Sequence, residues 1–364
     1  MATKKILPPT KESVLAYMRQ LFVETEDAII GEIMRKRAHG YVDYAEVATL
    51  DRIQKTLQKM VDKSWIYIPR LIDRYFYSGT AAAAGYANAK ALSAVSPGRM
   101  KAIELLTDNL LGEIREMSQT ALNTSQRALA DLGVLEAGGV PVIGATTQGA
   151  IRIEQLRSAT KQLAGSPGSG VDSFLLRLRQ QGITSYVDQG GREWSMRSYG
   201  YMATQTAAKQ AQVAGVLYAN PEQDLYMISR IGSTCPICAP LEGRVYSKSG
   251  MNPNYPPLAA AFGKIDVNGP DDLNNTYLNI HPNCLHSLIP YTELGRKPGE
   301  VEKMRRFSSF EENPITHDPR SKKQIEAYRE KQRQRAAYLR EFKRKQAEKL
   351  QREFEKEAAK ASAP

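Results

Sequence analysis

All three cysteines of the chain fall within fifty residues, in two short motifs that also contain two of its four histidines. The first motif is Cys235-Pro-Ile-Cys238 and the second is His281-Pro-Asn-Cys284-Leu-His286. A tetrahedral zinc ion takes four ligands, and a Cys-x2-Cys motif facing a His-x2-Cys motif supplies four at suitable spacing. The sequence therefore predicts a metal site that ties two distant segments together. The alternative is that the thiols are ordinary buried core residues.

The composition limits the fold and the partners. A chain of 364 residues with 42% hydrophobic residues is long for one compact core, which favours two or three folded units. Its 50 Lys and Arg against 39 Asp and Glu give a net charge of +11, which suggests a polyanionic partner such as DNA or an acidic protein surface. An odd number of cysteines in metal spacing indicates a reducing compartment. Because we find neither a signal-type segment nor an apolar stretch of about 20 residues, we expect a soluble protein without a membrane partner.

Residues 1–134 form a predicted helical domain, in which apolar residues recur at intervals of three and four. We expect about four packed helices, with Ser96-Pro97-Gly98 as a break before the last of them. The predicted helical segments that follow the first helix are 44–60, 66–94 and 99–132. We assign five aromatic residues to the core of this domain: Trp65, Tyr67, Tyr75, Phe76 and Tyr77.

Residues 135–170 are predicted to be a glycine-rich connector with a short helix at about 149–164. The next predicted unit, 171–298, is a small, loop-rich α+β domain that contains the metal motifs. We expect its elements to be a strand at 182–188, a helix at 204–214, a strand at 226–231 leading into Cys235, a hairpin around Glu242-Gly243 and an ordered loop at 252–277. The predicted fold class of the whole chain is α+β, mainly α.

Residues 299–364 are predicted to be a basic, charged helical tail. From Ser321 to Lys360 the chain has 14 Lys and Arg against 7 Glu. Tyr328, Leu339 and Leu350 recur every eleven residues, so a narrow apolar stripe could pair with another helix, or the helix is solvated on all sides. The basic face is a candidate for non-specific contact with DNA phosphates. Its candidate residues are Lys322, Lys323, Arg329, Lys331, Arg333, Arg335, Arg340, Lys343, Arg344 and Lys345.

Several motifs follow one another in a fixed order between residues 186 and 291. They are Gly191-Arg-Glu-Trp194, Ser198-Tyr-Gly-Tyr-Met202, Ser229-Arg230, Cys235-Pro-Ile-Cys238, Glu242-Gly-Arg-Val-Tyr-Ser247 and His281-Pro-Asn-Cys-Leu-His286. This series resembles the minor capsid proteins of tailed bacteriophages. It is similar in particular to the phage minor capsid protein 2 group of the Mu F-type head morphogenesis proteins.

The resemblance implies a low-copy structural protein near the portal, with a role in head assembly, DNA packaging or genome delivery. The implied partners are the portal protein, the major capsid protein and packaged DNA. The implied location is the inside of the virion head near the portal, and the host cytoplasm during assembly. No catalytic residue is implied.

The last motif departs from the pattern of many relatives, which end it in Cys-x-Cys, whereas this chain has Cys284-Leu-His286. Imidazole also binds zinc, so the fourth ligand beside the three cysteines is either His281 or His286. A closed four-ligand ion has no position for water or substrate. The predicted Zn²⁺ therefore stabilises the fold rather than a reaction.

The sequence also leaves other functions open. A metal-dependent nuclease could use His281, Asn283 and His286 around a divalent ion, and a cysteine hydrolase could use Cys284 beside His281. A non-viral DNA-binding protein would depend on the tail. A zinc deaminase is disfavoured because no histidine lies between His39 and His281. The absence of a phosphate-binding loop motif excludes the packaging motor.

Overall fold

The structure is a computed structural model of the chain. It describes residues 11–38, 43–86, 97–136, 175–188 without 177, 191–315, and separate positions between 322 and 352. This part of the chain is mainly helical and contains one two-stranded and one three-stranded antiparallel sheet, which confirms the predicted class. The predicted connector helix at 149–164 lies outside the described residues. None of the described helices combines the length and the apolar character that crossing a membrane requires.

The chain divides into two compact units, and each draws on both halves of the sequence. One unit contains residues 1–16, 65–111 and 202–331, and the other contains 17–64, 112–201 and 332–364. Both metal motifs therefore belong to the first unit. The domain boundaries expected at 134, 170 and 298 stay predictions.

The N-terminal half consists of three long helices, as its apolar periodicity indicates. They are α1 (Lys11–Ala38), α2 (Asp43–Tyr86) and α3 (Pro97–Glu136). Helix α3 begins at Pro97, two residues before the predicted start at 99, because proline is well suited to the first turn of a helix. The break expected between residues 60 and 66 is wrong. Helix α2 continues through this segment, which contains neither Gly nor Pro, and even contains Pro69 further on.

The aromatic group in α2 is split between core and surface. Phe76 is fully buried, but Trp65 and Tyr77 are about half exposed, so the assignment of those two residues to the core is wrong. Neighbouring positions on a helix point about 100° apart. A run such as Tyr75-Phe76-Tyr77 therefore cannot place every ring on one face.

Helix α4 (Met196–Ala219) packs closely against α2 in the first unit. A Cβ atom added at Gly215 would overlap the carbonyl oxygen of Phe76, and one added at Gly79 would overlap the carbonyl oxygen of Gln212. The hydroxyl of Thr80 also donates to the carbonyl oxygen of Gly215, at 3.2 Å. The two glycines therefore allow the helix backbones to approach each other directly.

The three-stranded sheet supports the metal motifs. Strand β3 (Leu225–Ile228) lies between β4 (Val245–Ser247) and β5 (Leu288–Pro290), and both neighbours are antiparallel to it. The strand predicted at 226–231 is thus confirmed but ends at Ile228. The predicted hairpin around Glu242-Gly243 is wrong, because β4 pairs with β3 rather than with the residues just before the turn.

The sheet has an apolar layer on each face. The buried cluster on one face includes Tyr226, Ile228 and Tyr246 and extends to Val213 and Leu217 of α4. The second cluster is formed by Val245, Tyr255 and Tyr291. The alternating burial along β3 follows from the two-residue period of a strand. Two further short helices in this unit are α5 (Ala259–Phe262) and α6 (Pro298–Ser308).

In the second unit, β1 (Thr184–Val187) and β2 (Glu193–Ser195) form a short hairpin. The Asp188 carboxylate accepts hydrogen bonds from the Arg192 backbone and guanidinium, both at 2.8 Å, and from the Trp194 indole at 3.2 Å. The exposed Arg192 side chain thus pairs with Asp188. These contacts, led by the Arg192 amide, lower the pKa of Asp188.

A buried carboxylate ties this hairpin to α1. Glu26 accepts hydrogen bonds at 3.0 Å from the backbone amides of Ile183 and Met196, and it pairs with the Arg197 guanidinium. Burial raises the pKa of Glu26, although Arg197 and the two amides oppose that rise. The first residues of α4 thus receive the negative charge that a helix N-terminus favours.

The described positions between 322 and 352 all have helical backbone and exposed side chains. Six of the ten candidate DNA-binding residues are among them: Lys322, Lys323, Arg333, Arg340, Arg344 and Lys345. The other four, Arg329, Lys331, Arg335 and Lys343, lie outside the described residues, as does the apolar stripe of the tail.

The close approach of α2 and α4 gives a first prediction. Gly215→Ala should lower the free energy of unfolding by about 1–3 kcal/mol, because its methyl group must push the Phe76 carbonyl away. Gly85→Ala is the matched control, since an added Cβ meets nothing within 4 Å there, and it should stabilise α2 by up to about 1 kcal/mol. Urea unfolding followed by circular dichroism measures both. Equal stability of the Gly215→Ala variant and the wild type would contradict this packing.

Candidate metal centre

The sheet brings the two metal motifs to the same end of the first unit. Strand β3 ends at Ile228, β5 begins at Leu288, and these two residues are direct neighbours across the sheet. The first motif follows β3 after a short loop, and the second immediately precedes β5. Motifs more than forty residues apart in sequence therefore start from adjacent points.

Each motif is a tight turn held by its own backbone. In the first, the amide of Ala239 donates to the carbonyl oxygen of Cys235 at 2.9 Å, and that of Leu241 donates to Cys238 at 2.9 Å. In the second, the amide of Cys284 donates to His281 at 3.1 Å. Asn283 adopts φ 60°, a left-handed conformation that asparagine tolerates, and its amide donates to the Thr206 hydroxyl of α4 at 3.2 Å.

The five predicted ligands meet in two groups that share Cys238. One group is Cys235, Cys238 and His281, and the other is Cys238, Cys284 and His286; within each group the donor atoms lie within 4.8 Å of one another. Cys238 and Cys284 are buried, and Cys235 is partly exposed. The structure therefore brings all five residues together, which the sequence alone could only suggest.

Two of the three sulfur–nitrogen distances between the candidate ligands match a zinc tetrahedron, and the third is shorter. Ligands on a zinc tetrahedron are about 3.6 Å apart for a sulfur and a nitrogen. The Nε2 atom of His281 lies 3.6 Å from the Cys235 sulfur and 2.7 Å from the Cys238 sulfur. The Nδ1 atom of His286 lies 3.4 Å from the Cys284 sulfur. Three thiols and two imidazoles form a soft donor set, so Zn²⁺ fits these residues, and bound there it would supply a structural cross-link.

Both histidines are oriented through their second ring nitrogen. The Nδ1 atom of His281 lies 2.7 Å from the carbonyl oxygen of Pro282, and the Nε2 atom of His286 lies 2.7 Å from a Glu242 carboxylate oxygen. Such contacts to a carbonyl or carboxylate are typical of metal-binding histidines. Either imidazole is therefore prepared to be the fourth ligand.

The sequence analysis missed Glu242, whose carboxylate contacts one of the candidate ligands, His286. The oxygen that contacts His286 also accepts the backbone amide of Ser233 at 2.8 Å, in the loop before the first motif. The carboxylate thus connects the two motifs outside the ligands themselves. No spacing rule could identify it, because it acts through His286 and not on the ion.

The pKa values of the candidate ligands are shifted in different directions. A hydrogen bond with Cys238 lowers the pKa of the Cys284 thiol to about 4, and His286 reinforces this shift. The same hydrogen bond, together with burial, raises the pKa of Cys238. Burial disfavours the charged form of His286, but its contacts with Cys284 and Glu242 raise its pKa overall. The cysteine hydrolase considered in the sequence analysis would use Cys284 beside His281. In the structure the imidazole beside the Cys284 sulfur is that of His286.

Part of the charge on the candidate DNA-binding residues is balanced within the tail. Lys345 pairs with Glu341 at 2.8 Å, and the Arg344 guanidinium lies 3.6 Å from Glu348. These pairs are four residues apart on exposed helix, where each contributes only a few tenths of a kcal/mol. They lower the positive potential of the tail without removing it.

A comparison with known families identifies the class of the chain. The sequence profile of the family described as phage minor capsid protein 2 matches residues 170–363. The chain belongs to this family. The match covers more than half of the sequence and contains both metal motifs and the charged tail, so the chain is a structural phage protein. No curated protein and no solved structure matches it significantly. The assignment to the Mu F-type proteins stays a prediction.

The metal centre gives a second prediction. The purified minor capsid protein should contain about one zinc ion per chain, and Cys238→Ala should weaken zinc binding at least about 100-fold because Cys238 belongs to both donor groups. Glu242→Gln should weaken it about 10-fold, as loss of an outer partner does. Elemental analysis and chelator competition measure these effects.

Leu285→Ala is the matched control, since this exposed side chain lies between Cys284 and His286 without being a donor. Separate His281→Ala and His286→Ala variants identify the fourth ligand, which is the one whose loss reduces affinity more. A wild-type protein purified without any metal from a zinc-containing medium would contradict the site.

Proposed function

We propose that this minor capsid protein is a low-copy structural component of a tailed-phage head, located inside the head near the portal. There it acts in head assembly, DNA packaging or genome delivery. The observation that carries the proposal is the family match over residues 170–363. The thiol-rich donor set supports it, because three thiolates around one ion favour a structural role over a catalytic one.

In this proposal Zn²⁺ holds the loops of the α+β domain together. The strands of the three-stranded sheet are only three or four residues long, and such short strands stabilise a fold weakly. An ion bound by both motifs would connect the chain after β3 to the chain before β5. Binding of a structural metal then contributes directly to the free energy of folding.

The charged tail is the proposed contact with packaged DNA. Its described positions are exposed, and seven of them are basic against four acidic. A solvated helix of this charge attracts phosphates without reading sequence, since it offers no rigid arrangement of donors towards base edges. The apolar stripe of the tail is the proposed site of pairing with another helix.

The portal protein and the major capsid protein are the proposed protein partners. The family description places its members among minor capsid proteins, and a minor component of a shell must contact a major one or the portal. A metal-dependent nuclease is a weaker alternative. Hydrolytic ions need an open coordination position, whereas three thiols and one imidazole around a single ion would leave none.

The virion role gives a third prediction. Phage that lack this protein should assemble particles with reduced DNA content or infectivity, and wild-type particles should contain it in far fewer copies than the major capsid protein. Quantitative mass spectrometry of purified virions and titration of infectivity test this. The control is the deletion complemented with the wild-type gene. Particles without the protein that are indistinguishable from wild type would contradict the role.

The tail gives a fourth prediction. Replacing the six described candidate residues by glutamine should reduce the slope of log affinity for DNA against log salt by up to about 5, since each phosphate contact contributes about 0.9. The matched control replaces the four described glutamates, Glu326, Glu330, Glu341 and Glu348, by glutamine and should strengthen binding. An unchanged slope in the first variant would contradict the DNA contact, and cleaved DNA would favour the nuclease.

A further inference from the structure

Arg244 is the largest fully buried side chain among the described residues, with 2% of its surface exposed. It lies between Glu242, which contacts His286, and β4. The metal site as described above does not use it. A buried guanidinium requires hydrogen bonds in several directions, because leaving it unpaired away from water is costly.

The hydrogen bonds of Arg244 join two separate parts of the chain. Its Nε donates to the carbonyl oxygen of Pro240 at 2.7 Å. Its Nη1 donates to the carbonyl oxygen of Asn313 at 2.6 Å and to that of Ser309 at 3.3 Å. Pro240 lies two residues after Cys238 of the first motif, whereas Ser309 and Asn313 follow α6. Arg244 is therefore a bridge between these two segments.

Aromatic rings surround the same guanidinium. The Arg244 guanidinium carbon lies 5.7 Å from the ring centre of Phe307 and 5.5 Å from that of Phe310. Arg230, in the loop before the first motif, lies 5.5 Å from the Phe307 ring centre. Two arginines on the metal-bearing side thus contact one phenylalanine of α6, and such cation–π contacts add to the hydrogen bonds.

A third contact holds α6 against the sheet edge. The Ser308 hydroxyl, which is buried, accepts the backbone amide of Val245 in β4 at 2.9 Å. We call residues 305–315 the tail root, because the chain continues from here to the charged tail. Its attachment therefore includes Arg230, Arg244 and the edge of β4, in addition to the ion pair of Arg305 with Glu293 at 2.8 Å.

The Pro240 carbonyl is in turn fixed by the metal motif. Pro240 lies in the 3-10 turn Ala239–Leu241, which begins directly after Cys238. The amide of Leu241 donates to the carbonyl oxygen of Cys238, and the amide of Gly243 donates to Ile228 of β3 at 2.9 Å. The position of Cys238 therefore sets the position of the carbonyl that Arg244 binds.

We propose that the metal centre anchors the tail root, and that Arg244 is the positioning residue that transmits this anchoring. The proposal rests on the structural metal inferred above. With the ion bound, the turn after Cys238 presents the Pro240 carbonyl, and Arg244 can hold Ser309 and Asn313 at the same time. Without it, the loop between β3 and β4 loosens, Arg244 loses one of its partners, and the tail root opens.

Hydrogen exchange of the full-length protein tests the proposal. With zinc bound, the amides of residues 305–315 should be protected, and removal of zinc by a chelator should accelerate their exchange about tenfold or more. Exchange in α3, which belongs largely to the other unit, serves as an internal reference and should not change. Re-addition of zinc should restore the protection.

Substitutions separate anchoring from metal binding. Arg244→Met and the milder Phe307→Ala should both keep about one zinc per chain while the tail root exchanges as rapidly as in the metal-free protein. The matched control is Arg306→Gln, an exposed arginine of α6 that pairs only with Glu312 among the contacts described and should change neither property. Phe307 is only partly buried, so its variant should fold even where Arg244→Met does not.

Three outcomes would overturn the proposal. One is a tail root that stays protected after zinc is removed, and another is a Phe307→Ala variant with an unchanged tail root. The third is a protein that binds no metal. Because these measurements use purified protein, they can fail while the protein is still found in virions, which separates this proposal from the proposed function.

Discussion

The pairing of β3 with β5 is the constraint on which the unit with the two Cys and His motifs depends. Ile228 and Leu288 are neighbours across these strands, so the first motif leaves the sheet beside the point where the second one enters it. A shift of one residue in this register would turn each side chain of β5 to the opposite face. His286, only two residues before β5, would then point away from Glu242, and the two groups of candidate ligands could no longer share Cys238.

The sheet cannot impose this register by itself. Its strands are short, and one edge strand contains Pro290, which has no amide to offer a further neighbour. Helix α4 covers one face with Val213 and Leu217, and Ser308 covers the outer edge of β4. A bound zinc ion would add a cross-link whose apparent binding free energy in small zinc domains is about 10–16 kcal/mol. That is comparable with the whole stability of a typical domain.

The sequence predicted those features that have a local pattern. The Cys and His spacing singled out five residues whose ligand atoms meet in two groups, the Ser96-Pro97-Gly98 break preceded the predicted α3 within two residues of its start, and the β-rich run at 226–231 identified β3. The features that it missed depend on contacts between distant residues. Helix α2 was divided in error because a weak apolar pattern at 61–65 does not end a helix that lacks Gly or Pro there.

The partner of β4 and the roles of Glu242 and Arg244 were missed for a related reason. The side chains of Glu242 and Arg244 form hydrogen bonds with backbone groups or with another side chain elsewhere in the sequence. No sequence periodicity predicts such contacts. Glu242 accepts amides of the loop before Cys235, and Arg244 donates to carbonyls more than sixty residues away. Only the folded chain shows that residues 238–244 connect the candidate metal ligands to α6 and to the residues that follow it.

The chemistry of the candidate ligands determines how removal of the proposed zinc ion would affect the protein. Three of the five donors are thiols, each imidazole has its second nitrogen engaged, and the nearest carboxylate, Glu242, is already bound to His286 and to backbone amides. Such a set has no position from which to activate water. If the proposed ion is bound, its loss would therefore change the structure rather than a reaction, and the change would begin in the loop between β3 and β4. Because that loop carries both Arg230 and Arg244, which contact Phe307 of α6 and the following Phe310, the proposed anchoring would be affected first at these two rings.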